Sequence, residues 1–175
     1  LKDKAVSPER RQLAKTGVLR SAYMLGNGEE VMLAATDLLA ETKVAPELSN
    51  EAHYYRAKAY LDAGKVEGAM DDLKILAKDT RNIYGAEAKY KVAQIYFDAG
   101  QTEQAEKEVL DYIEVSTPHT YWLARSFVLL SDVYMKLGRN LDAKQYLLSL
   151  KQNYQADDDI AGMIESRLNK LNAEN

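Results

Sequence analysis

The stretch Tyr60-Leu61-Asp62-Ala63-Gly64-Lys65-Val66-Glu67-Gly68-Ala69 decides the fold, because its punctuation is written three times along the chain. Tyr96, Gly100 and Ala105 repeat its tyrosine, glycine and alanine, and Tyr134, Gly138 and Ala143 repeat them again. The tyrosines stand at 60, 96 and 134, which makes periods of 36 and 38 residues. Self-similarity at that spacing marks a stacked array of supersecondary units, none of which can bury its apolar face alone. Such arrays present surfaces to partners more often than they perform chemistry.

Working outward from Gly64, the run from Ala52 to Ala63 is rich in helix formers, and His53, Ala57 and Tyr60 share one stripe at i, i+4, i+7. Glycine reaches the left-handed backbone cheaply, so Gly64 is predicted to close this helix and reverse the chain. The second helix places Val66, Ala69, Leu73, Leu76 and Ala77 on its apolar stripe, with Glu67, Asp71, Asp72 and Lys74 facing water. Ala57 and Ala69 mark the close approach of the pair, beside the large Tyr60 ring. The same plan predicts helices from Ala86 to Ala99 and across Thr102, Ala105, Val109, Tyr112 and Ile113, stopped between by Gly100. It then predicts one from about Trp122 to Leu137 and another across Ala143, Leu147 and Leu150, with Ser131 in place of the small alanine.

The plan decays toward both ends. Pro8 to Leu25 and Glu29 to Glu41 read as helices split by Gly26-Asn27-Gly28, a degenerate repeat in which Ala35 and Leu39 imitate the second-helix alanine and leucine. At the other end Ile160, Ile164, Leu168 and Leu171 share one helix face, and Glu165, Ser166, Asn169 and Lys170 share the opposite one. That pattern is a cap, apolar toward the last repeat and polar toward water, and Asp157-Asp158-Asp159 favours the positive end of its dipole. The expectation is about nine helices without strands in one elongated domain: 8–42 degenerate, 50–83, 86–118 and 122–154 as repeats, and 157–173 as cap.

The sets Ala57/Tyr60/Gly64/Ala69, Ala93/Tyr96/Gly100/Ala105 and Ser131/Tyr134/Gly138/Ala143 resemble the tetratricopeptide repeat, as does the wording Tyr55-Arg56-Ala57-Lys58-Ala59-Tyr60. The departures are the longer periods, the missing indole near the start of the first two repeats, and a terminal proline, Pro118, in the second repeat only. The resemblance implies an all-α, right-handed α-α superhelix. It also implies a concave surface lined by first-helix residues: Glu51, Tyr54, Lys58 and Leu61, then Glu87, Tyr90, Gln94 and Phe97, then Arg125, Val128, Asp132 and Met135. Tyr54 and Tyr90, one repeat apart and flanked by Lys58 and Gln94, would grip a peptide by ring contacts, or else pack against a neighbouring first helix. Repeats that clamp the carboxylate tail of heat-shock chaperones carry lysine and asparagine at these places, so that function is not implied. Second helices such as Ala105-Glu106-Lys107-Glu108-Val109-Leu110 are similar to those of bacterial envelope-assembly repeat proteins, which suggests the periplasm, with the cytoplasm as the alternative.

Other function classes find little support. With 23 Lys plus Arg against 27 Asp plus Glu, the net charge is −4, and the one basic stretch, Lys2 to Lys15, is short, so no nucleic acid is expected as partner. No apolar run reaches the length of a membrane span, and zero cysteines exclude disulfides and thiolate sites. Gly26-Asn27-Gly28-Glu29-Glu30-Val31 begins like a dinucleotide loop, but Val31 stands where the third glycine belongs, and Glu29 and Glu30 would repel a phosphate. His53 lies on a packed stripe, His119 follows Pro118 in a turn, and neither finds a metal-binding companion; Asp157 to Asp159 lack the alternation and glycine of a calcium loop. No cofactor, metal or catalytic residue is therefore expected. Leu1 in place of an initiator methionine reads as a fragment of a larger protein. The function implied is a non-catalytic scaffold that binds a peptide or partner domain in its groove; the alternative is a structural spacer or self-association module, with a homodimer as one form.

Overall fold

In a computed structural model of the chain, residues 6–115 and 117–173 are described; Leu1, Lys2 and Lys4 among the positions read above, and Ser116 within the second repeat, lie outside them. The described residues form nine α-helices without a strand: α1 Pro8–Met24, α2 Gly28–Leu39, α3 Pro46–Asp62, α4 Val66–Leu76, α5 Ile83–Asp98, α6 Thr102–Ile113, α7 Thr120–Lys136, α8 Asn140–Asn153 and α9 Ile160–Ala173. First helices begin earlier than their apolar stripes suggest. Pro46 starts α3, where its missing N–H has no helical partner to lose, and the Asn82 side chain caps α5 by accepting from the Gly85 N–H at 2.8 Å.

One device ends four of these helices. Gly64, Gly100 and Gly138 sit at φ of 70°, 76° and 73°, and Gly26 joins them at 68°. In each case the residue after the glycine donates its N–H back to the residue four before the glycine: Lys65 to Tyr60, Gln101 to Tyr96, Arg139 to Tyr134 and Asn27 to Ala22, at 2.8–3.0 Å. This is the Schellman closure, which satisfies carbonyls that the helix end leaves open. The repeat tyrosine therefore does two things, packing with its ring and anchoring the turn with its carbonyl. The degenerate first repeat keeps the turn with Ala22 in place of tyrosine, which is why the tyrosine series alone does not count it.

The contacts gather into two compact units, the first ending at Leu76 and the second beginning at Ala77, where the sequence reads a single domain. In the first unit α2 packs on both α1 and α3, α1 touches α3, and α4 packs on α3. Leu19, Ala22, Val31, Ala35, Leu38, Ala52 and Ala59 form its buried cluster, and Ala57 and Ala69 are buried as their small size requires. One expectation is overturned here: Asp72 does not face water but is 1% exposed. It lies three residues after Ala69 and four before Leu76, on the inward flank of α4. There it accepts from Arg56 Nε and Nη2, both at 2.8 Å, and meets His53 Nδ1 at 2.6 Å. Arg56 also donates to Thr36 Oγ1 at 2.9 Å, so the network ties α2, α3 and α4 together.

In the second unit α5 and α6 form one pair, α7 and α8 the next, and α9 packs on both α7 and α8. Ala93, Ala105, Val109, Leu130, Val133, Tyr134, Ala143 and Leu147 lie in one buried cluster that extends into α9 through Ile160, Ile164, Leu168 and Leu171. Burying four such side chains stabilises the unit by roughly 1.5–3 kcal/mol each. The Asp158 side chain caps this helix by accepting from the Ile160 N–H at 3.0 Å.

Candidate functional site

The groove residues named from the sequence divide between the two units. In the first, Tyr54, Lys58 and Leu61 are half-buried on α3, and the Lys58 ammonium stands 5.7 Å from the Tyr54 ring centre. Glu51 is buried, with both carboxylate oxygens on Arg20 at 2.6 and 2.7 Å. The sequence reading missed the neighbouring ring system: Tyr23 of α1 stacks on Tyr55 at 4.1 Å between centroids, and Tyr54 flanks Tyr55 at 5.9 Å. A hollow of about 430 Å³ opens beside Tyr23, between Met24, Val31, Ala59 and Asp62.

In the second unit the structure brings Tyr90, Gln94 and Arg125 together, although not as a free surface. Tyr90 is only 3% exposed, which corrects its assignment as an open peptide-gripping ring. Because α5 packs directly against α7, the flank that carries Tyr90 is covered by Trp122, at 5.6 Å between ring centres, and by Arg125, whose guanidinium lies 5.0 Å from the Tyr90 centroid. The Tyr90 hydroxyl donates to Gln94 Oε1 at 2.9 Å and accepts from Arg125 Nη2 at 2.8 Å. Arg125 donates also to the Tyr121 hydroxyl, which donates to Asp159. Val128 and Glu87 are buried as well, so Val128 belongs to the core and not to an open lining. The signal that could have found this is Trp122, the only indole of the chain, one turn before Arg125 and Ser126 on α7.

Phe97, Asp132 and Met135 lie apart from this network. With Lys136 and Lys170 they line an open groove of about 380 Å³ to which α5, α7 and α9 each contribute. Phe97 and Met135 are half-buried and rest on the core of the unit. Asp132 is held by Arg167 of α9 through two bonds of 2.7 Å, the bidentate geometry that fixes both partners. The sequence assigned α9 to capping alone and so missed Arg167 and Lys170 as part of this face. A wider depression of about 800 Å³ at the Gly100 turn is lined mainly by the polar side chains of Gln101, Thr102, Glu103, Gln104 and Lys107, together with Tyr96 and Leu137. Among the described residues no group of three or more His, Asp or Glu is placed to hold a metal ion, and no helix is long and apolar enough to cross a membrane.

No protein-family model matches the chain, and no curated protein does. Two solved structures do: the TPR-like repeats of a kinesin light chain-like protein of Podosopora anserina, and a single-substitution variant of them. The variant superposes with a TM-score of 0.57 at 15% identity over 93% of each chain, and the other with 0.56 at 16% over 95% of each. At that identity the likeness shows the fold, an all-α solenoid of TPR-like repeats, and nothing finer. Both neighbours are fungal and lend no support to the bacterial wording of the second helices.

Proposed function

We propose that this protein is a non-catalytic scaffold that binds a segment of a partner protein along the face of α5, α7 and α9. Repeat folds of this type mediate protein–protein interaction as a class, and the observation that supports the finer reading is the groove at Phe97 and Met135. An apolar floor seated on a rigid core, bounded by charged side chains, is the anatomy of a peptide-binding cleft, and its volume falls within the roughly 300–1,000 Å³ usual for ligand sites. Tyr54, Lys58 and Leu61 in the first unit remain a second proposed contact region. Arg125 of α7, bonded to the Tyr90 hydroxyl, holds α7 to α5, and Gln94 accepts from the same hydroxyl within α5.

A photo-crosslinking residue at Met135 tests this reading against one at Gln145, an exposed position of α8. The scaffold reading expects crosslinks to a distinct protein from Met135 only. Crosslinking of the same proteins from both positions removes the groove from the account. The spacer reading draws on Arg167, by which the chain's own terminal helix occupies Asp132. It expects no partner from either position, or a dimer in sedimentation.

A further inference from the structure

We infer that the groove at Phe97 and Met135 selects a partner segment in which an apolar side chain is flanked by carboxylates, an inference that rests on the scaffold reading above. The charges of the groove carry the argument. Among the described residues Asp132 is its only acidic lining residue, and both its oxygens are taken by Arg167 at 2.7 Å. Asp98, next along α5 from Phe97, does not line the groove and accepts from the Gln94 amide at 2.8 Å. Lys136 and Lys170 line the groove, are exposed, and make no ion pair or hydrogen bond with a described residue. A chain of net charge −4 thus presents, at this place, two ammonium groups that no described residue pairs, beside an apolar floor.

Such an arrangement discriminates by sign. A cationic segment would set like charges against Lys136 and Lys170, while carboxylates next to the anchoring side chain would meet them. The floor suits an aliphatic or aromatic anchor, since the thioether of Met135 adapts to irregular shapes and Phe97 offers a ring face. Both lysines are exposed to solvent, so the selection weakens as salt rises and acts mainly on the rate of encounter.

Panning a random twelve-residue peptide display library against the protein, and against Lys136→Glu/Lys170→Glu, tests the inference. Neither lysine is buried, so the double variant is expected to melt as the parent does, and circular dichroism checks that it folds. The expected result is a set of peptides with Leu, Met or Phe and two or more Asp or Glu within four positions. Their affinity should fall at least tenfold in the double variant, which should instead enrich Lys and Arg around the same anchor. Peptides that depend on the groove, losing affinity in Met135→Lys, but show no acidic bias would overturn the carboxylate chemistry and leave the scaffold reading standing. If no enriched peptide responds to Met135→Lys, both readings fall. A dimer of the parent that dissolves in the double variant, with no peptide enriched, would make the occupant a second copy and overturn the inference.

Discussion

Single side chains decide where this array is stiff. Asp72 is the clearest: burial opposes its ionisation, yet hydrogen bonds from Arg56 and His53 outweigh that penalty and hold the carboxyl below the usual aspartate range. Its folded pKa lies beneath its unfolded one, so its contribution is fully present above about pH 4 and is lost as pH falls through the depressed value. Acid unfolding of the parent should therefore steepen below pH 4, and Asp72→Asn should flatten that limb. Asp72→Ala leaves Arg56 and His53 without their carboxylate partner and should cost about 3–5 kcal/mol, measured by urea unfolding at pH 7. Tyr90 provides a second test at this scale. Tyr90→Phe keeps the ring against Trp122 and loses the hydroxyl bonds to Gln94 and Arg125, at about 1 kcal/mol; Tyr90→Ala also empties a core site, at roughly 3–5 kcal/mol. Equal effects would mean that Tyr90 does not pack as described. Its identity as a tyrosine was plain in the sequence, whereas its burial depended on which flank of α5 meets α7.

At the scale of helices and turns, the glycines separate two roles that composition cannot distinguish. Gly100 has open space where a Cβ would stand, but its φ is 76°, so Gly100→Ala should cost about 1–2 kcal/mol through the backbone alone. Gly17 has the same open space inside α1 at ordinary helical angles, and Gly17→Ala should stabilise its helix by about 0.5–1 kcal/mol. Opposite signs in thermal melting are the expected outcome; the same sign for both would show that the Gly100 turn is not left-handed. The phase of α6 is checked by Ala105→Leu, which overpacks a fully buried position at roughly 1–3 kcal/mol, against Lys107→Leu on the exposed side, which should change little. The spacing of Tyr, Gly and Ala was enough to read these elements, because a helix stripe and a left-handed stop are local properties of the chain.

Across the whole molecule the two units have separate buried clusters, and α9 completes the second. Ile164→Ala should remove about 2–5 kcal/mol from that unit. Residue-resolved hydrogen exchange is expected to show lost protection in α7, α8 and α9, with the first unit as internal reference; a loss confined to α9 would mean that the helix caps nothing. The sequence by itself determined the all-α repeat class, the Gly64, Gly100 and Gly138 turns and the apolar face of α9, since each rests on periodicity or on one backbone conformation. It identified residues of the groove, Phe97, Asp132 and Met135, only by way of family resemblance. Tertiary packing decided the rest: that Tyr90 and Val128 are covered, that Asp72 is buried among its partners, and that Arg167 neutralises Asp132 while no described residue pairs with Lys136 or Lys170. Those outcomes depend on which helices meet and on which charges are thereby spent, and contacts between Asp132 and a residue 35 positions away leave no periodic trace in the chain.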